Sequence, residues 1–143
     1  MPVITWMVLI FAGSSDVLSS EHTSRFLVPF LLWLDPSMSF HTIESIHLVF
    51  RKLGHVTEYA VLAGLLWRAF RGSFPLLPRR MMAVTAFLIA AGFAASDEYH
   101  QSFVPSRTST THDVVIDCLG AALAVLICVI LSRPRAVTVT DRV

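Results

Sequence analysis

The sequence predicts an all-α fold: a polytopic membrane helix bundle of four spans, near residues 1–20, 53–70, 81–96 and 112–131, with a short interfacial segment in the first outer loop, all in one domain over 1–143. Three observations predict it. Of the 143 residues 55% are hydrophobic and only 15% charged, and the mean hydropathy of +0.67 is too high for a soluble domain of this size. Long apolar runs recur along the chain, at lengths suited to crossing a bilayer as helix. The polar groups, by contrast, are gathered into one stretch, Ala94 to Asp117, between two such runs. Each ionisable side chain there would cost several kcal/mol in hydrocarbon, so the stretch belongs at a membrane surface, in a wet cavity, or in ion pairs.

The elements follow in order. Met1 to Ala12 is apolar but only about 18 Å long as helix, so it crosses only if it continues through Gly13 to Ser20. It carries neither a basic leader nor a cleavage signature, which favours a retained first span over a signal peptide. Phe26 to Leu34 is apolar for nine residues, is broken by Pro29 and closes at Asp35-Pro36. Nine residues cannot cross, so this segment lies in the interface or re-enters. Ser45 to Phe70 runs as one helix whose part from Leu53 on spans, with polar first turns bearing Arg51, Lys52, His55, Glu58 and Tyr59. After the Arg71 to Arg80 turn, a third span from Met81 continues as helix toward Phe103, until Pro105 forbids it. Thr110, followed three residues on by Asp113, has the form of a capping box and starts the fourth span, which ends at Leu131. Gly64, Gly92 and Gly120, one in each of these three spans, are candidate sites of close helix crossing.

With four spans, the turn at Arg71 to Arg80 and the C-terminal tail share a side. That side carries Arg68, Arg71, Arg79, Arg80, Arg133, Arg135 and Arg142 against Asp141 alone; the remaining acids and all six histidines fall on the other. The positive-inside rule then puts both termini in the cytoplasm and the polar cluster at the outer face of an inner membrane. Arginines beside span ends are explained by topology, so no nucleic-acid partner is expected. Cys118 and Cys128, roughly 15 Å apart along one helix, cannot bridge each other.

The candidate site draws on three helices. His55 and Glu58 share a face of the second, Asp97 faces His100 and Gln101 on the third with Glu98 beside them, and Asp113 and Asp117 are one turn apart on the fourth. One reading is acid-base catalysis: His55, Glu58, Asp97, His100 and Asp113 move protons, while Lys52, Tyr59, Glu98, Gln101, Arg107 and Asp117 hold substrate. A second is a metal site, for which the spacing offers no H-E-x-x-H, so metal and cofactor stay open. A third is a set of ion pairs that fix helix register. A serine hydrolase through Ser96, Ser102 or Ser109 lacks a nucleophile elbow, and a proton-coupled transporter or flippase would use Glu58 and Asp117 as relays.

Taken together, LIFAGSS near the start, RKLGHVTEYAVLAGLL in the second span, and SDEYHQSFVPSRTSTTHDVVIDCLGAALA across the third and fourth resemble the VanZ-like membrane proteins, named for a component of a teicoplanin resistance cluster. The resemblance implies a small multi-span protein of the bacterial envelope, and it carries over Lys52, His55, Glu58, Tyr59, Asp97, Glu98, Gln101, Arg107, Asp113 and Asp117. The expected partners are membrane lipids and an anionic lipid-linked envelope precursor, with homo-oligomers compatible with the pattern. One departure is Pro105-Ser106-Arg107, where the family pattern has Pro-Gly-Arg. Serine tolerates positive φ poorly, which bears on the turn that aims Arg107.

Overall fold

The computed structural model describes residues 2–15, 20–104 and 110–132, and among these it holds five helices and no strand. They are α1 (Pro2–Ser14), α2 (Ser20–Leu34), α3 (Phe40–Ser73), α4 (Arg79–Gln101) and α5 (Thr111–Leu131). The all-helical expectation holds. Two helices, α4 and α5, are long and apolar enough to cross a bilayer by length and composition. The first expected span stops short because α1 ends at Ser14 after 13 residues, about 20 Å of helix. The second differs for another reason. At 34 residues α3 is long enough, but Arg51, Lys52, Glu58, Arg68 and Arg71 are distributed along it.

Three local signals act differently from their sequence reading. Pro29 does not break its segment but lies inside α2. Helix α3 starts at Phe40 rather than Ser45, because Ser39 caps it by accepting from the Thr42 N–H at 3.2 Å. Between them Asp35 accepts from both the backbone and the hydroxyl of Ser37, at 2.9 and 2.7 Å; these bonds hold its exposed carboxyl below the ordinary range.

The core is a three-helix packing of α3, α4 and α5, onto which α1 adds against α3 and α4, while α2 touches α3 alone. Alanines at every fourth position of α4, Ala86, Ala90 and Ala94, are fully buried; their small side chains admit the Leu62, Leu66 and Val125 side chains of the neighbouring helices. Of the three glycines predicted at helix crossings, one is required. A Cβ on Gly120 would lie 2.5 Å from the Val56 carbonyl oxygen, whereas Gly64 and Gly92 have open space. The outward row of α5, including Val115, Leu119, Leu126 and Ile130, is exposed and apolar, a surface suited to hydrocarbon rather than water.

Cross-helix pairs set the register. Arg51 meets Asp113, His55 meets Asp117, and Arg71 meets Ser132, so residues 51–71 of α3 run parallel to α5 along its whole length. The eleven residues of α3 from Phe40 to Phe50 therefore extend about 16 Å beyond the start of α5. There they pack on α2, with Leu31 and Ile43 buried.

Candidate functional site

Among the described residues the buried polar ones all lie at one end of the bundle: Ser14, His55, Asp97, Glu98, Gln101, Asp113 and Asp117. Helix periodicity collects them. Residues 51, 55 and 59 form one stripe of α3, 113 and 117 one stripe of α5, and 97 and 101 continue the alanine face of α4. Burial next to alanine and glycine brings the backbones close enough for short side chains to meet across helices.

From the rim inward the groups form three levels. At the rim Asp113 takes Arg51 Nη2 at 3.1 Å and Lys52 Nζ at 3.5 Å, with the lysine half-exposed and the carboxylate nearly buried. One turn deeper, His55 Nδ1 meets Asp117 Oδ1 at 3.1 Å, and both side chains are almost fully buried. At the third level Ser14 donates its hydroxyl to Asp97 Oδ2 at 2.6 Å, and the Gln101 amide donates to that oxygen at 3.0 Å and to Ser14 Oγ at 3.2 Å. Fully buried Tyr59 lies beside Asp97, its hydroxyl within reach of the carboxylate.

Other expected members stand apart from this line. Glu98 Oε1 accepts from the Thr110 backbone N–H at 2.7 Å. The helix start at Thr110 is as predicted, but its hydroxyl makes no cap bond, and the carboxylate that reaches back to the cap N–H comes from α4 rather than from Asp113, which Arg51 and Lys52 engage. His100 makes no hydrogen bond to Asp97 among the described residues: its ring packs on Phe11 at 4.1 Å, and its buried Nδ1 has no partner. Glu58 is half-buried, and its carbonyl accepts the Trp6 indole N–H at 2.9 Å. Ser96 and Ser102 spend their hydroxyls on carbonyls of their own helix. Arg107 and Ser109 lie outside the described residues.

Sequence reasoning passed over Ser14, on α1, which is tied to Asp97 across 83 positions; its one signal was being polar at the end of an apolar run. Arg51, one turn before His55 and noted in the sequence among the polar first turns of its helix, forms the closest ion pair of the rim.

A carboxylate on one ring nitrogen orients an imidazole and favours its charged form, leaving the other nitrogen for proton exchange. His55 Nε2 has no hydrogen-bond partner among the described residues. Among those residues no three His, Cys, Asp or Glu side chains are grouped to hold a metal ion. The level above the dyad adds a lysine free enough to meet an anion. The arrangement can therefore exchange a proton beside a site of positive charge.

A family model described as VanZ/LLP1 matches residues 1–132, which covers α1 through α5, and the chain belongs to that family. No curated protein and no solved structure matches the chain.

Proposed function

Starting from membership of the VanZ/LLP1 family, we propose that the chain is a multi-pass protein of the bacterial cytoplasmic membrane whose polar end engages the anionic headgroup of a lipid-linked envelope component, with a bearing on teicoplanin susceptibility. The observation that carries this is the buried dyad of His55 and Asp117 directly beneath Arg51 and Lys52. Ionisable groups this deep are costly unless they serve a site. In this reading Lys52 and Arg107 meet the anion, His55 is the acid-base group, and Asp117 positions it. The orienting carboxylate is thus Asp117, rather than Glu58, Asp97 or Asp113. Alongside α4 and α5, α1 and residues 53–70 of α3 cross the membrane, supported by the way α3 shadows α5 along its length. The excess of arginine at the opposite end favours cytoplasmic termini.

The test is glycopeptide susceptibility of bacteria expressing the protein, with His55→Ala and Asp117→Asn beside wild type and membrane insertion checked by fractionation. Loss of the wild-type effect in both variants is expected. An unchanged effect from inserted variants overturns the site.

A second reading, a non-catalytic envelope binding or scaffolding protein, draws on Arg51 and Asp113, which already satisfy each other at 3.1 Å. It expects the double swap Arg51→Asp with Asp113→Arg to restore what each single change loses. The headgroup reading expects no restoration, because an anion site needs the positive charge where it stands.

A further inference from the structure

Beyond the level where α5 begins, α3 carries two unlike faces. The stripe that enters the bundle through Arg51, His55 and Tyr59 continues outward as Leu48, Glu44 and His41, all three exposed. On the far side a second exposed stripe runs through Val49, Leu53, Thr57 and Val61. It is apolar in effect throughout, because the Thr57 hydroxyl donates to the Leu53 carbonyl of its own helix at 2.7 Å. This stripe passes the level of Arg51 and His55 unbroken, from the part of α3 beside α5 into the part that extends past it. Helix α2, which packs on that extension, adds an outward row that is wholly aromatic, Phe26, Phe30 and Trp33. The turn joining the two helices is polar and exposed at Asp35 and Ser37. Length agrees with this layout. Phe40 to Arg71 is about 46 Å of helix, close to the ~40–45 Å of a bilayer with its interfaces, whereas α5, with 21 residues and about 31 Å, matches the hydrocarbon alone. With the Arg71 end at one headgroup layer, the polar turn reaches the other, and the rim at Arg51 lies about 16 Å below it.

We propose that the outward face of α2 and of residues 40–53 of α3 docks into the hydrocarbon of the leaflet on the polar side, so that the polar end is the floor of a water-filled vestibule recessed in that leaflet. The hairpin of the two helices is its wall: Phe26, Phe30, Val49 and Leu53 meet acyl chains, while His41 and Glu44 line the vestibule. Acyl chains are the occupant because the apolar row continues the outward stripe of the span instead of forming a separate patch. Trp33, beside the polar turn, stands where tryptophan gathers at a membrane interface. This docking rests on the multi-pass placement and stands without the headgroup reading.

Single cysteines in the full chain, on a Cys118→Ala and Cys128→Ala background in lipid nanodiscs, test it through their rates with a charged methanethiosulfonate. Glu44→Cys should react freely and Val49→Cys roughly a hundredfold more slowly, because hydrocarbon suppresses the thiolate that is the nucleophile. Leu123→Cys, on the exposed side of α5, is the control. Slow reaction there with fast reaction at Val49→Cys overturns the docking and leaves the membrane placement standing; fast reaction at both overturns the placement as well. Slow reaction at Glu44→Cys overturns the vestibule. Trp33 reports what covers the face: the fluorescence that Trp33→Phe removes should be quenched by dibrominated phospholipid more than by aqueous iodide. Quenching by iodide alone, or by neither, as in a contact between two copies of the chain, overturns the assignment.

Discussion

The two ends of the bundle use charge in opposite ways. At the polar end, carboxylates of α4 and α5 are buried and answered across helices by side chains of α1 and α3. At the other end the arginines are exposed or half-buried and address mainly the end of α5: Arg79 donates to the Val129 and Ser132 carbonyls and Arg71 to the Ser132 hydroxyl. The second arrangement caps a helix C-terminus and meets its dipole, with water still screening the charges. It needs no particular partner side chain. Burial at the first end removes that tolerance, because each unmatched charge costs more than its contact returns. The same element, α5, thus begins in a specific ionic network and ends in a generic one.

That contrast predicts a graded response to mutation. Asp117→Ala, which leaves His55 buried without its carboxylate, should destabilise the protein by about 3–5 kcal/mol, read as a loss of folded yield and a large fall in melting temperature in detergent. A variant with wild-type stability would mean that the polar end is no more demanding than the basic one. Ser14→Ala removes a bond to a buried carboxylate and should cost about 1.5–3 kcal/mol, with α1 showing the earliest protease cleavage. Gly120→Ala drives a methyl group into the Val56 carbonyl and should cost about 1–3 kcal/mol. Gly64→Ala and Gly92→Ala, with open space around them, should instead stabilise by up to about 1 kcal/mol. Denaturant titration of the three side by side tests whether α3 and α5 touch backbone to backbone only near the polar end. The smallest effect is expected from Arg79→Ala, about 0.3–1 kcal/mol and reduced by salt; a cost as large as that of Asp117→Ala would erase the distinction between the ends.

Much of this was legible in the residues themselves. The gathering of Asp97, Glu98, Gln101, Asp113 and Asp117 at one end with His55 follows from helical spacing and from where the apolar runs begin. The family resemblance rests on local motifs that sequence displays directly. Other features were hidden by their nature. Pro29 reads as a break, yet α2 continues through it, and of the four expected spans α4 and α5 meet the demands of length and apolarity.

By itself, then, the sequence determined that the chain is helical, which end is polar and which is basic, because periodicity and composition act within a few residues. Only the tertiary structure decided who pairs with whom. His55 meets Asp117 rather than Glu58 three residues away, and Asp97 is answered by Ser14 rather than by His100 on its own helix. Side chains three or four apart share a face, but the rotation and depth at which that face meets its neighbour are set by packing of small residues, Gly120 on Val56 and the alanines of α4. A difference of one helical turn in that packing exchanges one partner for another while leaving every local signal unchanged.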